Sequence, residues 1–145
     1  MKAVVQRVTK TTLKCDSKLI SEIGLGLVIY FGVAQGDTTD KAVYLARKIA
    51  NLRVFEDDNK KMNLSVKDVN GEILAVSQFT LLGDVSHGNR PSYSNAEEPT
   101  KANEMYQFFM EKLKEEGVPV KPGVFGGDMK IEQFNDGPVT ILYEI

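Results

Sequence analysis

The chain has 145 residues, enough for one domain with a real core and too few for two ordinary ones. With 42% hydrophobic and 26% charged residues it reads as a folded globular protein, and a disordered chain is excluded. A net charge of −2 argues against extensive nucleic-acid wrapping; a single cysteine, Cys15, and a single histidine, His87, exclude a disulfide framework and a transition-metal site built by one chain.

The first residues, Met1 to Val8, are interrupted by Gln6 and Arg7 and do not read as a signal peptide. The longest apolar run, Leu25 to Ala34, contains Gly26 and Gly32 and is about half of a membrane span. The expectation is a cytoplasmic protein with no membrane segment, folded as one domain over 1–145.

In chain order, 2–8 and 18–33 are rich in Val, Ile, Leu and Tyr and read as strands, the second central and buried on both faces. Glycines inside that run predict a bulge or a close backbone approach. Asp37-Thr38-Thr39-Asp40 offers capping oxygens, and Ala42, Leu45, Ala46, Ile49 and Ala50 recur at helical spacing, which predicts an amphipathic helix. Arg53-Val54-Phe55 reads as a short strand followed by a polar turn, and Asn70-Gly71 as a hairpin-type turn ahead of a strand from Glu72 to Leu81. A second helix is expected from about Glu97 to Glu116, with Pro99 in its first turn, Gly117 as its stop, and Ala102, Met105, Tyr106, Phe109 and Leu113 as its apolar stripe. Segments 118–121, 128–134 and 138–144 complete the strands. The expected class is α+β, a curved and mainly antiparallel sheet or open β-barrel covered by two helices.

Chemistry concentrates where the strand Ile73 to Leu81 turns polar. As a strand, this segment puts Gln78 and Thr80 on one face and Ser77 and Phe79 on the other. Such an end suits an active-site floor, and equally the hydrogen-bonding groups of a sheet edge. The polar loop from Gly83 to Asn95 carries His87 and Arg90, and long loops of this kind are functional or mobile. A Ser/His/Asp triad is disfavoured, since no Gly-x-Ser-x-Gly elbow exists and nothing places a carboxylate behind His87. Gly137-Pro138, taken alone, reads as a trans turn before a strand.

Five ordered segments carry a resemblance: Met1 to Val8, Ser77-Gln78-Phe79-Thr80-Leu81, Gly88-Asn89-Arg90-Pro91-Ser92-Tyr93, Phe125-Gly126-Gly127-Asp128-Met129, and Asn135-Asp136-Gly137-Pro138-Val139-Thr140. Together they resemble the D-aminoacyl-tRNA deacylase (D-tyrosyl-tRNA deacylase) family along essentially the whole chain. The resemblance implies a homodimer without metal or cofactor that hydrolyses D-aminoacyl-tRNA, and glycine mischarged on tRNA(Ala), at the 3′ end, with no DNA required. It further implies a cis Gly137-Pro138 bond, inserted into the partner subunit's site so that backbone carbonyls exclude L substrates, and braced by Arg7, which the resemblance places near the motif of the partner subunit. Ser77, Gln78, Phe79 and Thr80 then form the catalytic segment, and Phe125 and Met129 help build the substrate pocket. Thr80 as nucleophile and assistance by the terminal ribose remain alternative mechanisms, the second favoured because no general base stands beside Thr80. The chain departs from the family pattern at His87, where a lysine or arginine is frequent, and at Tyr93, where phenylalanine is usual. A related deacylase of mischarged L-aminoacyl-tRNA and a noncatalytic RNA-binding module are the alternatives.

Overall fold

A computed structural model describes all 145 residues, Met1–Ile145. The sheet is organised around β1 (Lys2–Cys15), twice the expected length because the β-branched Thr9, Thr11 and Thr12 continue the strand. Along one edge of β1 run β2 (Lys18–Ile23) and β3 (Gly26–Gly32), both antiparallel to it. The single strand expected over 18–33 is thus two segments that split at Gly24–Leu25. Only β3 is buried on both faces; Lys18, Leu19 and Ile20 of β2 are exposed.

Helix α1 (Thr39–Ala50) follows, and its Ala42, Leu45, Ala46, Ile49 and Ala50 are buried as the spacing predicts. The expected side-chain cap does not form at its start. Thr38 makes no capping hydrogen bond, and the Asp37 carboxylate instead accepts from the Ala34 amide, the Met1 ammonium and Lys41. A small hairpin, β4 (Phe55–Glu56) with β5 (Met62–Leu64), encloses the polar turn. Asn70 adopts φ 50° in a turn, yet no hairpin follows, because β6 (Glu72–Ser77) runs parallel to β3. Gly26 is required there: a Cβ on it would lie 1.9 Å from the Glu72 carbonyl oxygen, so the close backbone approach read from the glycines is present.

Helix α2 (Pro99–Glu115) begins with the Glu98 carboxylate accepting from the Thr100 and Lys101 amides, and Pro99 takes the first helical position. After it, β7 (Val120–Pro122) adds parallel to β6. The last two expected strands are one, β8 (Met129–Glu144), paired antiparallel along the free edge of β1. The result is the expected class: a curved, barrel-like mixed sheet, mainly antiparallel, with two helices.

The larger core lies between one sheet face and the helices, where the rings of Phe31 and Phe109 stack at 4.2 Å. A smaller cluster, Val8, Leu13, Ile23, Val28, Leu74 and Val76, fills the other face. Because β3 and β6 contribute to both clusters, they are the rigid centre from which the candidate site projects.

Candidate active site

β6 ends at Ser77, earlier than the sequence predicts. The Gln78 amide still donates to the Phe31 carbonyl at 2.8 Å, and the chain then coils into a 3-10 turn over Phe79–Leu82. Strand alternation therefore does not sort Gln78, Phe79 and Thr80 onto faces. Instead the Gln78 side-chain amide donates to the Thr80 hydroxyl, and Phe79 stands out, 55% exposed, its ring edge-on to Tyr93 at 5.0 Å. The Phe79 and Thr80 amides open this turn, where the first N–H groups have no partner within the helix.

A cleft of about 520 Å³ opens at this strand end. Ser77, Gln78 and Phe79 form one wall; Phe125, Gly126, Gly127, Asp128 and Met129 form the opposite one; Val33, Glu97, Pro99 and Ala102 close it toward α2. Five of the residues picked from the sequence, Ser77, Gln78, Phe79, Phe125 and Met129, thus meet in one cavity, with the Thr80 hydroxyl tied to Gln78 at its edge. Mixed apolar walls with a few polar groups are the usual make-up of a small-molecule site.

The far wall is held by two devices. Tyr106 of α2 donates its hydroxyl proton to the Ala75 carbonyl at 2.7 Å and accepts from the Gly123 amide at 3.1 Å, tying β6 to the chain entering the wall. Burial pushes this phenol up to about 12. The Val124 amide meets the Met129 sulfur at 3.3 Å, and a Cβ at Gly127 would lie 3.0 Å from the Cys15 sulfur, so the turn closes tightly over β1.

His87 lies exposed in the loop and is not a cleft residue. The Asp84 carboxylate accepts from the Ser86 amide at 2.8 Å, and hydrogen bonds from Ser86 hold its pKa below the usual carboxylate range. Asp84 and Ser92 also exchange backbone bonds, which close the loop. No triad is assembled, in line with the sequence reading.

Arg7, Gly137 and Pro138 lie elsewhere in the chain, away from the cleft lining. Gln6 pairs with Thr140 and Val8 with Asn135, so 136–139 leave the ladder as a bulge opposite Arg7. The Gly137–Pro138 peptide is cis, and both residues are exposed. Arg7 is buried beneath them, its Nε donating to the Asp136 carbonyl at 3.2 Å and lying 3.1 Å from the Asp136 carboxylate, with Nη1 donating to the Val54 carbonyl. It grips the bulge of its own chain.

A family model described as D-Tyr-tRNA(Tyr) deacylase matches residues 4–144. The chain belongs to the D-Tyr-tRNA(Tyr) deacylase family. Its relatives include a protein of Geotalea daltonii named D-aminoacyl-tRNA deacylase, 51% identical, over 99% of this chain and 96% of that one. A Persephonella marina protein of the same name is 53% identical, over 99% and 97%. Among solved structures, one named c-Myc DNA Unwinding Element Binding Protein superposes with a TM-score of 0.93 at 42% identity, covering 100% of this chain and 99% of that one. Membership makes this family member a hydrolase of the aminoacyl-tRNA ester class.

Sequence reasoning overlooked Glu97, Val33, Pro99 and Ala102 as cleft residues. Glu97 and Pro99 carry no signal beyond a helix start, and Val33 none beyond a strand. They reach the cleft only because the Glu97 amide bonds the Val33 carbonyl at 3.0 Å and brings the start of α2 against the end of β3.

Proposed function

We propose that this chain hydrolyses the ester of D-aminoacyl-tRNA and that the cleft at the end of β6 receives the aminoacylated 3′-terminal adenosine. The observation that carries this reading is the convergence of Ser77, Gln78 and Phe79 with Phe125 and Met129 on a single cavity, in a chain matched over 4–144 by the deacylase family model. Phe125 and Met129 supply apolar surface for the nucleoside. The ester carbonyl lies against the 3-10 turn, where the Phe79 and Thr80 amides donate to the oxyanion as it develops; one such donor is worth about 2.7–4 kcal/mol in the transition state.

Thr80 is not the nucleophile. Its hydroxyl accepts from the Gln78 amide and has no base beside it, so its own proton remains free to donate to a ligand. An aminoacyl ester is already activated, and the 2′-hydroxyl of the terminal ribose or a positioned water completes the attack.

Selection against L substrates is made by the Gly137–Pro138 segment of a second copy. Its outward carbonyl groups face the substrate Cα, leaving space for hydrogen and none for an L side chain, so D-aminoacyl groups and glycine, including glycine carried on tRNA(Ala), pass. Exposure of Gly137 and Pro138 on a bulge, and of Leu142 (76%) and Phe134 (53%) on the same strand, supports a homodimer formed over β8. Arg7 keeps the bulge in shape from below. As an enzyme acting on tRNA it works in the cytoplasm, and the reaction as drawn calls on neither cofactor nor DNA.

Matched D-tyrosyl- and L-tyrosyl-tRNA test the reading directly. Release of D-tyrosine with the L ester left intact is expected. Faster release of L-tyrosine would overturn it in favour of an L-editing enzyme, and binding of tRNA without release of either would point to a noncatalytic module.

A further inference from the structure

A second cavity of about 460 Å³ adjoins the cleft and shares Val33 and Glu97 with it. Its α2 wall is built from Lys101, Glu104, Met105 and Phe108, at spacings of three, one and three, which put them on one helix face, and Glu97 joins them from the segment just before the helix. Met105 and Phe108 are half-buried and form an apolar floor, while Lys101 and Glu104 stand exposed at the rim. Asp37 closes the opposite side, its charge met by the Met1 ammonium at 2.7 Å and Lys41 at 2.9 Å.

The rim charges are uncommitted. Lys101 lies four residues after Glu97 and three before Glu104, yet it forms an ion pair with neither. One Glu97 oxygen accepts from the Glu98 amide at 2.9 Å, and Glu104 accepts nothing from the protein side chains around it. An apolar floor under acceptor-only carboxylates and one free ammonium suits a flat base with an exocyclic amine and an adjoining phosphate.

We propose that this cavity is a subsite for the nucleotide preceding the terminal adenosine, the cytidine of the tRNA 3′ end. Its base packs on Met105 and on the side of the Phe108 ring away from Lys112, whose Nζ lies 5.2 Å from the ring centroid, its 4-amino group donates to Glu104, and its phosphate meets Lys101. Uracil is disfavoured, because its 4-oxygen is an acceptor facing a carboxylate. The inference rests on the deacylase reading, since it extends the same strand of nucleic acid from the first cavity into the second.

The test uses the full chain and three esters of D-tyrosine, on adenosine, on cytidylyl-adenosine and on uridylyl-adenosine. A KM about tenfold lower for the cytidylyl than for the adenosine ester is expected, the effect of one charge-assisted hydrogen bond. Lys101→Ala lowers the advantage of both dinucleoside esters over the adenosine ester, and Glu104→Gln removes the preference for cytidine over uridine, because an amide both donates and accepts. Both side chains are exposed on α2, and circular dichroism verifies that the variants fold. Equal KM values for the three esters in the parent protein, or ratios that survive both substitutions, would overturn the subsite while leaving the deacylase reading intact. Hydrolysis of none of the esters, with D-tyrosyl-tRNA also untouched, overturns both.

Discussion

Gly137 adopts φ 121°, and a Cβ there would lie 2.9 Å from the Val139 side chain and 3.1 Å from the Arg7 guanidinium. Only glycine takes that conformation freely, so Gly137→Ala is expected to cost about 1–2 kcal/mol, read as a lower denaturant midpoint, and to lower discrimination between D- and L-tyrosyl-tRNA. Arg7 sits beneath it as a buried cation whose Nε and Nη1 bond its own chain, at Asp136 and Val54. Tyr106 is a comparable pin on the other side of the cleft. Tyr106→Phe removes the hydroxyl's bonds to the Ala75 carbonyl and the Gly123 amide, which keep their own 2.8 Å bond to each other, at a cost of about 0.5–1.5 kcal/mol in urea unfolding. The phenol also predicts a pH dependence. Its pKa is raised from 10.0 to about 12, mainly by burial, so the folded state holds the proton more tightly than the unfolded one. Its contribution is complete below pH 10.0 and lost as pH rises through about 12, and Tyr106→Phe should flatten that alkaline decline in stability.

At the scale of elements, the site depends on where strands stop. β6 stays straight while it is sandwiched between two apolar clusters and coils at Gln78, where that sandwich ends and side-chain amide and hydroxyl groups can bond each other. The parallel contact of β6 with β3 requires Gly26 against Glu72, so Gly26→Ala is expected to destabilise the fold by about 3 kcal/mol, at the upper end for overpacking, and to loosen the cleft with it. The start of α2 bears directly on both cavities. Hydrogen bonds from the Thr100 and Lys101 amides hold the Glu98 carboxyl below its usual pKa. That cap is complete above the ordinary carboxylate value and is lost as pH falls through the lowered one, so the protection of the Thr100 and Lys101 amides, relative to their intrinsic exchange, should fall in acid before that of α1.

The molecule as a whole presents a one-chain site that lacks the segment assigned to stereochemical screening. Gly137 and Pro138 point into solvent, and β8 is an open strand carrying exposed Leu142 and Phe134. If a second copy supplies that segment, Leu142→Asp should yield a monomer by sedimentation and depress D-tyrosyl-tRNA hydrolysis, with partial recovery at high protein concentration. A monomeric parent protein with full activity would rule the arrangement out. The negative net charge is compatible with the proposed assembly, because an enzyme that gripped only the 3′ end of a tRNA would need few phosphate contacts.

Local chemistry made much of this legible in the sequence. The helix stripes of α1 and α2 follow from spacing, Pro99 from its tolerance at a helix start, and the close approach of Gly26 from a glycine inside an apolar run. Ser77 to Thr80, Phe125, Met129, Arg7 and Gly137-Pro138 were legible through matching motifs, which locate residues along the chain but not relative to one another. Tertiary structure decided the rest. Strand alternation fails at Gln78 because alternation holds only while sheet pairing holds, and β6 loses its flanking cores there. The split of 18–33 into β2 and β3, the union of two expected strands into β8, and the parallel placement of β6 all depend on backbone partners distant in sequence. Glu97 belongs to two cavities for the same reason: one amide bond to Val33 sets a helix start against a strand end, and no local pattern encodes that contact.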